Sequence, residues 1–135
     1  MIFKGLEVSL TGMLSQRVRM LTSSSNLANA NSIDENGKPY RRKVPIFEAV
    51  LEDEGGVPVY RVRVKKIVED PSSFRLKYDP KNPLADEKGY VHLPNVDPIK
   101  EMVDMISAVR SYEANLTAFN TYKNSLLDTL NILKA

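Results

Sequence analysis

The chain contains no cysteine and a single histidine, His92. Without cysteine there is no disulfide framework, no thiol nucleophile and no sulfur ligand set, and zinc sites of the usual Cys/His composition fall away with it. No glycine-rich phosphate loop is present. The adjacent acids Asp53-Glu54 and Asp86-Glu87 sit in turn-like stretches, where such pairs are ordinarily solvated, and His92 lies in a strand-like run, where a lone imidazole is ordinarily structural. The expectation is a protein that is not an enzyme, with no cofactor and no metal. No apolar run approaches the length of a membrane span, so no membrane insertion is expected. The formal net charge of +2 gives no global attraction to nucleic acid or lipid. Residues Met1 to Leu14 lack the apolar core and small-residue cleavage site of a secretory signal. Any export is therefore expected to proceed without signal cleavage.

Proline is absent from both ends. All eight prolines lie between Pro39 and Pro98, which leaves helix-compatible termini around an irregular middle. Charge is absent from a shorter stretch: Met20 to Ile33 holds fourteen residues and none is charged.

What is present is most regular at the C-terminus. From Asp97 to Lys134, alternating steps of four and three meet Met105, Val109, Tyr112, Leu116, Phe119, Lys123, Leu126, Leu130 and Leu133, with Met102 extending the series backwards. All but Lys123 are apolar, the a/d seam of a helix packing along another helix. Asp97 is a suitable N-cap, Pro98 suits the first helical position, and Glu101 lies near the positive end of the dipole. The helix would be roughly 57 Å long, longer than the roughly 30 Å width of a compact domain of this size. Between Ser111 and Asn131 its other positions are mostly Ser, Thr and Asn, among them Ser111, Asn115, Thr117, Asn120, Thr121, Asn124 and Ser125. These are poor helix formers in water, but they cost less to bury than charges when they find partners. The plain reading is a two-helix hairpin with a weakly charged surface; the composition favours a helix covered by neighbours on several sides.

Met1 to Asn31 is the second helix candidate. Leu6, Leu10, Met13, Arg17, Met20, Ser24 and Leu27 keep a four-three spacing, and Leu14, Val18 and Leu21 form a neighbouring stripe. Gly5 and Gly12 weaken it, at roughly 1 kcal/mol each relative to Ala. In the middle, Val44 to Leu51, Val57 to Val68 and Phe74 to Tyr78 read as three antiparallel strands, with a hairpin turn at Asp53-Glu54-Gly55-Gly56. Gly89 to Pro94 reads as a short extended piece. The sheet needs a cover, and the seam of the long helix is expected to supply part of it. Arg61, Arg63, Lys65, Lys66, Arg75 and Lys77 could form a basic face for nucleic acid, but twelve basic residues against eleven acidic ones from Ser32 to Val96 point to an ordinary wet face.

Two sets of residues resemble a known family. Ser25-Asn26-Leu27-Ala28-Asn29-Ala30-Asn31-Ser32, followed by Tyr40-Arg41-Arg42, is similar to the N-terminal signature of bacterial flagellar rod and hook proteins. Gly89-Tyr90-Val91 through Pro94-Asn95-Val96, then Glu101 to Ile106, Arg110 to Asn115, Phe119-Asn120 and Lys123, resembles the C-terminal one. Ser32, where the family commonly has Thr, and Lys100, where an acid is more usual, depart from it. The short length and small insert are similar to proximal-rod members rather than to longer relatives. The resemblance implies a structural subunit of the basal-body rod. Such a subunit polymerises through its terminal helices, transmits torque, encloses the export channel and is located in the periplasm-spanning rod. It implies as partners other rod subunits, the MS-ring adaptor and the flagellar export apparatus, with no nucleic acid. The expected fold is α+β: long terminal helices paired as an antiparallel coiled coil, at 1–33 and 97–135, around a β-rich insert at 34–96. The expected subunit-packing seam is Met105, Val109, Tyr112, Leu116, Phe119, Leu126 and Leu130. The expected N-terminal assembly motif is Asn26, Leu27, Ala28, Asn29 and Asn31. A soluble helical-hairpin adaptor for one partner protein is the alternative.

Overall fold

The computed structural model describes residues 2–134, with Ile2 and Glu54 by backbone alone. Met1 and Ala135, the outermost residues of the two expected helices, lie outside the described residues. The fold is α+β. Helix α1 spans Ile2–Ala28 and helix α2 spans Pro98–Lys134, about 40 and 56 Å at the usual helical rise. Asp97 caps α2: its Oδ1 accepts from the Ile99 and Lys100 amides at 3.0 and 3.5 Å. The helices run antiparallel. Gly5 faces Tyr122, Gly12 faces Asn115, Arg19 reaches Asp104, and Asn26 reaches Glu101. Continuing that register places Ile2 opposite the turn before Leu126, so the last two turns of α2 run on without α1 beside them.

Between the helices, β1 (Lys43–Glu54) and β2 (Val57–Glu69) form a long hairpin. Its turn is Gly55-Gly56, with φ of 68° and 82°, the backbone that a two-residue type I′ loop requires. The register shifts between Ile46 and Phe47, leaving Lys65 as the extra residue of a bulge. Strands β3 (Arg75–Tyr78) and β4 (Tyr90–Leu93) form a second, separate antiparallel pair.

Two expectations are corrected here. The insert is two two-stranded sheets rather than one of three strands. The chain turns sharply after β2, where Asp70 Oδ1 accepts from the Ser72 amide at 2.8 Å. Arg41 then holds the turn by bonding the Asp70 and Ser72 carbonyls and stacking 4.2 Å from the Phe74 ring. The third strand therefore leaves the hairpin and takes the Gly89–Leu93 segment as its partner. The cover on the hairpin is α1, not α2. Thr11 Oγ1 accepts from the Val62 amide at 3.4 Å and Ser15 Oγ donates to the Val62 carbonyl at 3.3 Å, so α1 hydroxyls satisfy the outer edge of β2.

The buried apolar set is small: Met13, Ala30, Val91, Val96 and Ala108. Ser9, Ser15, Thr22, Ser23, Asn26 and Glu101 are buried beside it. The accessible surface is 9351 Å², against about 7,100 Å² for a compact monomer of 15.2 kDa.

Candidate assembly surface

The end of α1, the linker, the start of β1 and the start of α2 meet in a polar clasp. Asn26 and Glu101, each 1% exposed, lie at its centre. The Asn26 amide behaves as a strand would: Nδ2 donates to the Lys43 carbonyl at 2.8 Å and Oδ1 accepts from the Lys43 amide at 2.9 Å. Oδ1 also accepts from the Tyr40 hydroxyl at 2.9 Å, and Nδ2 donates to Glu101 at 3.3 Å. Arg42 Nε pairs with Glu101, and its terminal nitrogens reach Asp70 at 3.2 Å and Asp104 at 3.4 Å. Burial opposes the Arg42 charge, but the bond and charge of Glu101, then those of Asp70, outweigh it and raise its pKa. Asp70 is held below the usual carboxylate range, first by the Ser72 amide and hydroxyl and then by Arg42. Asn95 completes the joint: its Oδ1 accepts from the Arg42 amide at 2.7 Å and its Nδ2 donates to the Asp70 and Ser72 carbonyls at 3.1 Å each.

Away from the clasp the helix pair is built inside out. The α2 positions facing α1 are Glu101, Met105, Ala108, Tyr112, Asn115, Phe119, Tyr122 and Leu126, a four-three series. Opposite them lie Gly5, Gly12, Arg19 and Asn26, seven residues apart. Bulky apolar residues point outward instead. On α1 these are Phe3, Leu10, Leu14 and Leu21, a second stripe at helical spacing. On α2 the exposed set is Ile99, Met102, Val103, Ile106, Val109 and Leu116. The uncovered end adds Leu127, Leu130, Ile132 and Leu133, the last two at least 75% exposed. A monomer does not ordinarily present so much contiguous apolar surface without a partner for it.

The predicted seam divides along this line. Met105, Tyr112, Phe119 and Leu126 are half-buried and lie on the α1 side. Val109 and Leu116 lie one position past the facing column and are exposed, and Leu130 is exposed on the uncovered end of α2. Of the predicted N-terminal motif, Asn26 is fully committed within the chain. Leu27 is half-buried, and Ala28 and Asn31 are exposed. Asn29 caps its own helix end, donating to the Ser25 carbonyl at 2.8 Å and accepting from Ser32 Oγ at 3.0 Å. The three arginines of the basic face are tied down: Arg61 pairs with Glu7 and Glu52, Arg63 with Glu48, and Arg75 donates to the Pro94 and Ala30 carbonyls. His92 lies 3.2 Å from Asp86, whose carboxylate caps its own turn by accepting from the Lys88 and Tyr90 amides.

In the sequence Gly5 and Gly12 read as weak helix formers, and Glu101 reads as a charge near the dipole within the family-like C-terminal stretch. Their signal was the spacing: two glycines seven apart in one helix, and Glu101, Ala108, Asn115 and Tyr122 each seven apart in the other.

A paired-helix body with its apolar faces outward and a small β insert defines a subunit built to pack with others. A family model described as "Flagellar basal body rod FlgEFG protein C-terminal" matches residues 87–132. The flagellar basal-body rod protein FlgC of Aquifex aeolicus is 57% identical over 122 residues, 90% of each chain. The FlgC proteins of Bacillus subtilis and Escherichia coli O157:H7 are 45% and 40% identical, covering 98% and 93% of each chain. The chain belongs to the FlgC family of flagellar basal-body rod proteins.

Proposed function

We propose that the protein is a structural subunit of the proximal flagellar rod, joining other subunits through the outward faces of its terminal helices. The observation that carries this reading is the excess surface, roughly 2,200 Å² more than a compact monomer exposes, together with the bulky apolar residues exposed along both helices. Specific interfaces of standard size bury about 1,600 Å² in total, so packing against more than one neighbour accounts for the excess. In this role the protein is mechanical, carrying torque and enclosing an export path, with rod subunits, the MS-ring adaptor and the export apparatus as partners. It works in the periplasm-spanning rod. The predicted seam contributes Val109, Leu116 and Leu130 to contacts between subunits, while Met105, Tyr112, Phe119 and Leu126 serve the helix pair itself.

Leu116→Asp tests this reading. Leu116 is 39% exposed in the single chain, so a carboxylate there stays solvated and costs the monomer only part of a leucine's burial and some helix propensity. Desolvated between subunits without a partner, the same charge costs several kcal/mol. The variant should remain folded, melting within about 2 kcal/mol of the parent, and fail to enter isolated basal bodies. Normal incorporation and swimming would refute the outward faces as packing surfaces. A chain that stays monomeric at every concentration and captures one partner would fit the adaptor instead.

A further inference from the structure

We infer that Gly5 and Gly12 set the register of the helix pair, and that this register, rather than an apolar seam, is what turns the bulky residues outward. The inference deepens the proposed assembly role and rests on it. A Cβ built on Gly12 would lie 2.6 Å from Asn115 Oδ1 and 2.8 Å from its Cγ. One built on Gly5 would lie 2.6 Å from both Cε1 and Cζ of the Tyr122 ring. Carbon atoms in proteins do not approach one another or an amide oxygen so closely, so each side chain sits in a notch that only glycine leaves open. The two notches are seven residues apart in α1, and the two side chains that fill them are seven apart in α2. Two points along the same face fix both translation and rotation of one helix against the other.

The alternative packing is available in the sequence. Rotating α2 by about 50°, half the angle between successive residues, would keep Met105, Tyr112 and Phe119 in the interface and bring Met102, Val109, Leu116 and Lys123 there in place of Glu101, Ala108, Asn115 and Tyr122. It would bury a more apolar seam and remove Met102, Val109 and Leu116 from the outer face. The glycines decide between the two. The pair approaches closely where α1 has no side chain, and a column of Ala108, Asn115 and Tyr122 fits that approach as a column of Val109 and Leu116 does not. The notches are unequal. Tyr122 is among the exposed large residues and its ring can swing toward solvent. Asn115 is short, half-buried and bonded through Nδ2 to the Ser111 carbonyl at 2.9 Å, so Gly12 is the more demanding position.

The test uses the full-length chain in cells of its own host lacking the chromosomal copy, comparing Gly12→Ala, Asn115→Ala and Gly12→Ala/Asn115→Ala. Alanine is the better helix former, so on propensity alone Gly12→Ala raises the helix content of the purified monomer and should help assembly. The inference requires the opposite: subunits recovered in isolated basal bodies fall about tenfold or more, the size of a one-methyl overpacking defect, while monomer helicity by circular dichroism does not fall. Removing the Asn115 side chain in the double variant reopens the notch and restores incorporation above that of Gly12→Ala. Incorporation of Gly12→Ala at the parental level overturns the inference, and so does a double variant no better than the single one. If Gly12→Ala accumulates as misfolded chain, the double variant alone decides. Leu116→Asp run alongside separates the two claims: its normal incorporation removes the assembly reading itself, whereas its failure beside a normal Gly12→Ala removes only the role of the notches.

Discussion

Asn26 makes four hydrogen bonds from a side chain that is 1% exposed, and its partners belong to the linker, to β1 and to α2. Truncation would leave the Lys43 backbone and a buried Glu101 oxygen short of partners at once, which costs about 2–3 kcal/mol. Asn29 works within its own helix end, where the cost of truncation is under about 1 kcal/mol. Denaturant melts of Asn26→Ala and Asn29→Ala should therefore separate clearly, with the first much the less stable. Near-equal losses would show that the clasp tolerates one Glu101 oxygen without its hydrogen-bond donor. Asp70 adds a pH dependence with a definite sign. Its pKa is lowered in the folded chain, so the stabilisation is complete above the ordinary carboxylate value of about 3.9 and is lost as pH falls through the folded value. Asp70→Asn should thus be less stable than the parent by about 1–2 kcal/mol at neutral pH, and the gap should begin to narrow as pH falls below about 4. A gap that does not narrow on acidification would mean that the Asp70 charge is not what stabilises the turn.

At the scale of elements, the helices, the hairpin and its turn were legible in the sequence because each follows a local rule. Asp97 and Pro98 start α2, two glycines make the β1–β2 turn, and proline confines the irregular chain to the middle. The pairing of elements was less so. The four-three pattern in α2 contains two overlapping series that share Met105, Tyr112, Phe119 and Leu126. Apolar character picks the one through Val109 and Leu116, while the notches in α1 pick the one through Ala108 and Asn115. That information lies in the partner helix, where no periodicity of α2 can reach it. The clasp was hidden for the same reason: Asn26, Arg42, Asn95 and Glu101 are far apart in sequence and meet only in the fold. The pairing of β3 with β4 depends on Gly89 as well as on the turn that Arg41 holds. Gly89 has φ of 84°, and a Cβ there would lie 3.0 Å from the Tyr78 ring and 3.1 Å from Pro80 Cβ. Gly89→Ala should destabilise the β3–β4 pair by about 1–2 kcal/mol, read as faster amide exchange at Tyr90 and His92. Unchanged exchange there would show that the turn has another way to close.

On the scale of the whole molecule, stability is unevenly distributed along the helix pair. At one end lies the clasp, with Asn26, Ala30, Val96, Glu101 and Ala108 all buried. Moving away from it along α2, no described residue beyond Ala108 is buried, and α1 ends its buried series at Ser9. The far end is held by glycine notches and half-covered side chains, and beyond Leu126 α2 has no α1 beside it. Isolated helices gain little stability from propensity alone, and α2 is rich in Ser, Thr and Asn there. In dilute monomer the pair should therefore open from its free end, with amide protection greatest at Asn26, Lys43 and Glu101 and falling steadily toward Ile2 and Lys134. Assembly supplies the missing neighbours, so the same amides should become slow in isolated basal bodies while the clasp changes little. Hydrogen exchange by mass spectrometry in the two states reads both gradients directly. Uniform strong protection along α1 and α2 in the monomer would mean that the pair is already complete on its own, and the exposed leucines would then need a purpose other than packing against the next subunit.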